Sequence, residues 1–228
     1  MAATLAAAGY RVIAVARSPT EELSAAAREA TERGSGAIEF RAFDLADLAA
    51  IPLFVRRLRS EFGDVYGLVN NAGLGTAGIL GVMPDGDIEQ LFKLNSISPI
   101  ILTKYVVRSM MIARAGRIVN VASIVASTGY SGLSVYSASK ASLVGFTQSL
   151  AREVGRLGIT VNAVAPGFIS THMTAQLDAR QRASIVRRSA LKRMVESVDV
   201  ARGVEFLLGV GGRNITGIVL TLDAGATA

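Results

Sequence analysis

The sequence of 228 residues has no cysteine, no tryptophan and a single histidine, His172. Disulfides, thiolate nucleophiles and thiolate metal ligands are therefore excluded, and one histidine cannot supply a cluster of imidazole ligands. We expect no metal site and a reducing, cytoplasmic setting. Long apolar runs are also lacking, because the best candidates, such as residues 98–107, include a lysine. No stretch offers the roughly 20 apolar residues that a membrane span needs, and no secretory leader pattern opens the sequence.

Acidic residues are fewer than basic ones, which gives a net charge of +6 and an isoelectric point of about 10.1. The basic residues are spread along the chain, aromatic residues make up only 6% of it, and the sequence has no basic tail. Nucleic-acid binding combines a concentrated basic surface with stacking aromatics, so we do not expect it. The excess charge fits solvated helix faces, together with an acidic substrate, a phosphate-bearing cofactor or an acidic partner protein.

Short β-branched segments alternate with longer amphipathic segments along the chain. The pattern predicts strands at 11–17, 37–43, 65–70, 116–122, 159–163 and 218–222, and helices at 21–33, 48–62, 87–113, 134–157, 171–189 and 198–209. This alternation predicts an α/β fold, a doubly wound parallel sheet with helices on both faces. At this length we expect residues 1–228 to form one domain with a sizeable core.

The most informative residues are Tyr136 and Lys140, which lie four apart on a predicted helix, and Ser123, which precedes them at the end of a strand. Positions four apart share one face of a helix, and an ammonium beside a phenol favours the phenolate. We therefore expect a lowered pKa for Tyr136 and a general acid/base near neutral pH. Ser123 would hydrogen-bond a substrate carbonyl. The pair alone fits equally an exposed helical contact worth a few tenths of a kcal/mol, so the neighbouring motifs decide.

A glycine pattern follows the predicted strand at 65–70, with glycines at 73, 75 and 78. It matches G-x-G-x-x-G, but the dinucleotide turn should open a helix at once and have an acidic residue roughly 20 positions later. Here Pro84, Asp85 and Gly86 intervene before the helix, and positions 98 and 99 are serine and proline. The pattern therefore indicates a flexible loop beside the site rather than a pyrophosphate-binding turn.

Several ordered motifs together resemble the short-chain dehydrogenase/reductase family over the whole chain. They are Asn70-Asn71-Ala72-Gly73 after a central strand, Asn95 in the next helix, Ser123, Tyr136, Lys140, residues 166–171 (PGFIST) and residues 222–225 (LDAG). The C-terminal part, with Met173-Thr174 and Ile215-Thr216-Gly217, is most similar to the 3-oxoacyl-[acyl-carrier-protein] reductases of bacterial fatty-acid synthesis. The resemblance implies a Rossmann-like fold and an NAD(P)-dependent oxidoreductase acting on ketones or secondary alcohols.

The resemblance also implies roles for the four polar residues. Tyr136 would give a proton to the carbonyl oxygen as hydride attacks the carbon, and Ser123 would orient the carbonyl and share developing charge. Lys140 would lower the pKa of Tyr136 and hold the nicotinamide ribose. Asn95 would hold a water that links Lys140 to solvent; its alternative is a polar residue that ties down a helix.

The same resemblance places cofactor-binding residues at the ends of several strands. Asn71, Ala72 and Gly73 would line the adenosine side, and Asp44 and Leu45 would meet the adenine. Further contacts are expected from Tyr136, Lys140, Pro166, Gly167, Ile169 and Thr171. Arg17 and Ser18 stand where an acidic residue would bind the ribose hydroxyls of NAD. A cation and a hydroxyl there suit a 2′-phosphate, so we expect NADP(H) to be preferred over NAD(H).

The sequence departs from the family pattern at its start. Residues 1–9 read as the end of a helix that leads into the strand at Arg11, and the family's first strand and Thr-Gly-x-x-x-Gly-x-Gly turn are not in the sequence. That strand would lie between the strands at 11–17 and 65–70, so two strand edges would stay unpaired. A start site set too far downstream, a deliberate truncation and a loss of cofactor binding would each explain this, and the first is favoured. For the chain as it stands we expect weak dinucleotide affinity.

Three functions are compatible with these features. The leading one is NADPH-dependent reduction of a 3-oxoacyl thioester; the second is reduction or oxidation of another small ketone, sugar or steroid alcohol. The third is a non-catalytic subunit of a complete homologue. Four arginines could dock an acidic acyl carrier protein or could simply be solvated: Arg114, Arg187, Arg188 and Arg193. The resemblance further implies a homodimer or homotetramer built on the helices at 87–113 and 134–157.

Overall fold

The computed structural model describes residues 1–169 and 178–228. In this part of the chain the strands are β1 (Arg11–Ala16), β2 (Ala37–Ala42), β3 (Gly67–Asn70), β4 (Gly116–Val121), β5 (Ile159–Pro166) and β6 (Val219–Leu222). The helices are α1 (Ala2–Ala7), α2 (Glu21–Arg33), α3 (Ile51–Phe62), α4 (Asp85–Phe92), α5 (Ser98–Ala113), α6 (Ser134–Val154), α7 (Ala179–Arg188) and α8 (Ser197–Leu208). The predicted alternation of strands and helices is confirmed.

Local sequence signals explain where a helix such as α2 begins and ends. Thr20 is its N-cap, with the side-chain hydroxyl oxygen accepting a hydrogen bond from the Leu23 amide at 3.2 Å. Acidic Glu21 and Glu22 occupy the first turn, where the helix dipole favours negative charge. Gly34 ends the helix in the left-handed conformation at φ 63°, which glycine adopts without strain. These signals made the bounds of α2 predictable to the residue.

All strand pairings are parallel, but they form two sheets. β1 pairs with β2, and the second sheet has the order β3-β4-β5-β6. The two sheets meet at β1 and β3, since the rings of Tyr10 and Tyr66 stack with centroids 6.5 Å apart just before these strands. Within the described residues no strand lies between β1 and β3.

Helices cover both faces of the larger sheet. On one face Ile118 and Val161 pack with Met110 of α5 and Leu150 of α6. On the other face Val119 and Val164 pack with Leu5 of α1 and with Val204 and Leu207 of α8. Successive residues of β4, Ile118 and Val119, therefore point to opposite cores, as the twofold alternation of a strand requires. The predicted doubly wound arrangement follows from this two-sided burial.

Several predicted helices differ from the observed ones. The helix expected at 48–62 begins only at Ile51, and the helix expected at 134–157 ends at Val154, where a 3-10 turn follows. The expected helix at 87–113 is continuous from Asp85, but it widens into a π-helical turn, Lys93–Ile97, around the buried Asn95. Such wide turns occur mostly at functional sites. Of the helix expected at 171–189, only α7 lies within the described residues. No helix in the described ranges is both long and apolar enough to cross a membrane.

Candidate active site

The carboxyl ends of the parallel strands bring the predicted site residues to one edge of the molecule. Asn71 follows β3, Ser123 follows β4 and Gly167 follows β5. Parallel strands in such folds place ligands at this edge. α6 begins at Ser134 and carries Tyr136 and Lys140 in its first two turns, packed against the end of β4.

Ser123 and Tyr136 are joined directly. Ser123 continues the extended backbone of β4 at φ −168° and caps a short 3-10 turn, Ile124–Ala126. Its side chain forms a hydrogen bond with the Tyr136 hydroxyl. Since Tyr136 and Lys140 lie one turn apart on α6, the three predicted catalytic side chains converge, with the Lys140 Nζ 5.9 Å from the centre of the Tyr136 ring.

Lys140 is a buried cation, with only 4% of its surface exposed. Its Nζ donates a hydrogen bond to the Val121 carbonyl oxygen at 2.8 Å. Burial lowers the pKa of Lys140 to about 8, because the ammonium loses its hydration.

The pKa of Tyr136 is shifted in the direction opposite to the predicted one. Burial raises the pKa of Tyr136 above its usual value, and the hydrogen bond with Ser123 offsets this only in part. The predicted lowering by Lys140 is therefore wrong for this structure. The physical reason is that the ammonium of Lys140 is directed to the Val121 carbonyl, and the phenol has too little water around it to stabilise a phenolate.

Asn95 fastens the loop after β3 to α6. Its Oδ1 accepts from the Leu74 amide at 2.7 Å, and its Nδ2 donates to the Leu74 carbonyl at 2.9 Å and to the Ser139 hydroxyl at 3.1 Å. The residue is fully buried. All these contacts lie beside Lys140, because Ser139 precedes it on α6.

At Gly73 the loop after β3 approaches Lys140 closely. A Cβ placed on Gly73 would lie 3.2 Å from the Asn95 Oδ1 and 3.3 Å from the Lys140 Nζ. A larger residue at position 73 would therefore crowd the space between the loop and Lys140. Asn71 is exposed, and Ala72 is half-buried. Asn71, Ala72 and Gly73 would therefore leave room for a nicotinamide dinucleotide beside Lys140.

The other predicted cofactor residues are placed less tightly. Leu45 is held by its carbonyl oxygen, which accepts from the Ser98 hydroxyl at 2.6 Å. Arg17, Ser18 and Asp44 are exposed at the ends of β1 and β2, at the same edge but in the smaller sheet. The Asp44 carboxylate accepts from the Ala46 amide at 2.9 Å.

The segment after β5 is fixed against the C-terminal strand. The Gly167 amide donates to the Leu222 carbonyl at 2.9 Å, and Ile169 bridges to Val195. Pro166 is buried at the end of β5. Thr171 and His172 lie outside the described residues. No cluster of three or more potential metal ligands occurs within the described ranges.

Sequence reasoning missed an aromatic contact at the rim of the site. Tyr130 lies between Ser123 and Tyr136 and packs edge-on against Phe168, with ring centroids 5.5 Å apart. The guanidinium of Arg188, the last residue of α7, lies 5.5 Å from the Tyr130 centroid. The Gly78 amide also donates to the Gly132 carbonyl at 2.9 Å. Three distant segments thus meet on the loop between Ser123 and Tyr136, and no local pattern signals such contacts.

With this geometry established, comparison with known proteins identifies the class. Residues 1–182 match the family model described as short chain dehydrogenase. The chain belongs to this family of NAD(P)-dependent oxidoreductases.

Within this family, the chain is similar to several individual proteins. The chain is 39% identical over 225 residues to the 3-oxoacyl-[acyl-carrier-protein] reductase FabG of Escherichia coli K12, which covers 99% of this chain and 90% of that protein. It is 40% identical over 194 residues to the FabG of Haemophilus influenzae, covering 85% of this chain and 78% of that protein. Among solved structures, a blue fluorescent protein from a metagenomic library, in complex with NADPH, superposes with a TM-score of 0.88 at 34% identity, over 99% of this chain and 91% of that one.

Proposed function

We propose that the protein reduces the ketone of a 3-oxoacyl thioester to a secondary alcohol with NADPH. The single observation that carries the proposal is the convergence of Ser123, Tyr136 and the buried Lys140 at the carboxyl edge of the sheet. The substrate class is supported by the similarity to reductases named for 3-oxoacyl-[acyl-carrier-protein]. Fatty-acid synthesis is the corresponding biological process.

The chain's own residues account for the proton transfer. Bound NADPH supplies the hydride that reduces the carbonyl carbon. Tyr136 then gives its phenolic proton to the carbonyl oxygen, and Ser123 holds that oxygen and shares its developing charge. The raised pKa of Tyr136 keeps the phenol protonated at neutral pH, as a proton donor requires. Lys140 stands one turn further along α6, where it would hold the ribose and pass a proton back to Tyr136.

Asn95 would keep this arrangement together. Its hydrogen bonds to Leu74 and Ser139 join the cofactor loop to the helix that carries the acid. A water held beside Asn95 would link Lys140 to solvent.

Selection of NADPH would depend on Arg17 and Ser18. Both are exposed immediately after β1, where a guanidinium forms charge-assisted hydrogen bonds with a 2′-phosphate. The similar structure in complex with NADPH supports the same choice.

An acyl carrier protein would dock on the basic end of α7. Arg187, Arg188 and Arg193 are exposed there, and Arg188 reaches the rim at Tyr130. Arg114, also predicted to dock the carrier, lies between α5 and the start of β4. It is therefore at the amino end of the sheet, opposite the site, so we leave it out of the docking surface.

The chain would act as a homodimer or homotetramer through α5 and α6. Exposed apolar side chains on and just before α5 support this, namely Ile97, Ile100, Met111 and Ile112. Light scattering of the purified chain tests it, with a monomer at assay concentrations as the contradicting result.

A substrate comparison tests the proposed function. Initial rates with NADPH and an acetoacetyl thioester are compared with rates for a sugar and a steroid ketone, and then with NADH in place of NADPH. We expect the highest kcat/KM for the thioester and tighter binding of NADPH. A preference for the sugar or steroid would overturn the substrate class, and tighter binding of NADH would overturn the cofactor choice.

A further inference from the structure

A line of buried polar side chains crosses the core beneath the site. Asn70 Nδ2 donates to the Thr103 hydroxyl at 3.0 Å and to Asn120 Oδ1 at 2.7 Å. Asn120 Nδ2 donates to the Thr147 hydroxyl at 2.8 Å, which in turn donates to the Leu143 carbonyl at 2.7 Å. None of these side chains touches the reacting group. The line nevertheless joins α5, β3, β4 and α6.

Each member of this line is costly to bury, so its position is closely constrained. Asn120 and Thr147 are fully buried, and Thr103 is 1% exposed. An unsatisfied buried donor or acceptor costs about 1–3 kcal/mol. Along this line, Asn70 Nδ2 has two acceptors and Asn120 Nδ2 has one, all at 2.7–3.0 Å. Directional bonds of this kind resist sliding of one element along another, which apolar contacts allow.

The α6 end of the line is placed to control the catalytic group. Thr147 lies seven residues, two helical turns, after Lys140, on the same face of α6. Asn120 immediately precedes Val121, whose carbonyl oxygen accepts the Lys140 ammonium at 2.8 Å. The same helix and strand are therefore joined twice, at Asn120–Thr147 deep in the core and at Val121–Lys140 in the site.

We propose that Asn120 and Thr147 are positioning residues that fix α6 along β4, so that Lys140 meets Val121 and Tyr136 meets Ser123. The bond between Asn120 and Thr147 sets the axial position of the helix. With the helix in this position, Lys140 reaches the Val121 carbonyl and Tyr136 reaches Ser123. The activity measurement below rests on the proposed reductase function, whereas the titration of Lys140 does not.

Isosteric variants at the two ends of the line separate positioning from general stability. Thr147→Val removes the hydroxyl that Asn120 needs, and Thr147→Ser keeps that hydroxyl. Thr103→Val makes the same chemical change at an equally buried site, but leaves the Asn120–Thr147 bond intact. All are assayed at a temperature where circular dichroism shows each variant to be folded. The measured quantities are kcat and KM for ketone reduction, and the pKa of Lys140 by NMR titration of its side chain.

We expect Thr147→Val to lower kcat about tenfold or more, because small displacements of catalytic groups cost that much, with KM for NADPH little changed. Its Lys140 pKa should rise from about 8 toward the ordinary lysine value, since a displaced helix admits water. Thr147→Ser and Thr103→Val should keep kcat and the Lys140 pKa close to those of the unchanged chain.

Two results would overturn the proposal. One is an unchanged Lys140 pKa in Thr147→Val; the other is an equal loss of kcat in Thr103→Val. If the unchanged chain reduces no ketone, the proposed function fails, and the titration of Lys140 still decides whether the line positions α6.

Discussion

Lys140 is a buried lysine that forms no ion pair within the described residues. Burial lowers its pKa to about 8, its Nζ donates a hydrogen bond to the neutral Val121 carbonyl, and the Tyr136 ring lies beside it. Such a residue opposes folding at neutral pH, because the ammonium must give up its hydration. Its presence is therefore best explained by function, since stability and activity commonly conflict at active sites.

This conflict predicts that Lys140→Met stabilises the chain while removing turnover. Between pH 8 and 10.5 the unfolded chain holds the lysine proton and the folded chain does not, so the free energy of unfolding rises with pH in that window. Below pH 8 the full penalty applies, up to about 3 kcal/mol. Urea unfolding should therefore show that Lys140→Met is more stable than the unchanged chain at pH 7. The difference between their free energies of unfolding should become smaller toward pH 10.

The exposed Lys104 provides the control for this experiment. Lys104→Met removes the same charge from the surface and should leave both the stability and its pH dependence almost unchanged. A Lys140→Met variant that is less stable than the unchanged chain at pH 7 would show that the bond to Val121 outweighs the loss of hydration.

At the scale of elements, α7 contacts the loop between Ser123 and Tyr136 through Arg188. Asp178 and Gln181 form a capping box that starts the helix, and Arg188 ends it with its guanidinium 5.5 Å from the Tyr130 ring centroid. A cation over an aromatic face is worth about 0.5–1 kcal/mol at exposed sites. The contact therefore holds the basic end of α7 against the rim without locking it there.

Two adjacent arginines test this coupling. Arg188→Ala removes a charge and the contact with Tyr130, whereas Arg187→Ala removes a charge and leaves that contact in place. We expect Arg188→Ala to raise the KM for a small acetoacetyl thioester by roughly threefold, the factor equivalent to a cation–π contact, with the KM for NADPH unchanged. Arg187→Ala should leave both constants unchanged. Equal effects of the two substitutions would mean that charge alone matters.

How far the sequence predicts the structure also differs between elements. The bounds of α2 and the convergence of Ser123, Tyr136 and Lys140 were predictable, because caps, helical spacing and family motifs are local signals. The π-helical turn at Asn95 was not, since it depends on side-chain bonds to Leu74 and Ser139 in other segments.

The contacts that sequence reasoning missed share a physical cause. The raised pKa of Tyr136, the rim contact of Tyr130 with Arg188 and the line through Asn120 all depend on burial or on long-range packing. Periodicity along one segment carries no information about which distant side chain will face it. Single motifs therefore predicted the convergence of Ser123, Tyr136 and Lys140, but they gave the wrong direction for the pKa shift of Tyr136.

On the scale of the whole molecule, the net charge of +6 favours association with an acidic partner. Part of this charge is concentrated next to the site, at the end of α7. Interactions between exposed charges are screened over about 10 Å at 0.1 M salt. A docked acidic carrier should therefore respond to salt, whereas a small thioester that contacts only the site should not.

This difference predicts separate salt dependences for two forms of the same substrate. Raising ionic strength should increase the KM for a 3-oxoacyl group on an acidic carrier protein severalfold, through a slower association. The KM for the same acyl group on a small thiol should stay nearly constant. The same salt dependence of KM for both substrates would contradict the proposal that the carrier docks on α7.

The account depends most directly on Tyr136 as the proton donor of a ketone reductase. The decisive measurement is the loss of NADPH absorbance with an acetoacetyl thioester, for the unchanged chain and for Tyr136→Phe. We expect turnover by the former and a decrease of about 10²- to 10⁴-fold in kcat for the latter, the range for removal of a general acid. NADPH affinity should be similar in both. Absence of turnover in the folded, unchanged chain, or equal turnover in both, would contradict the account.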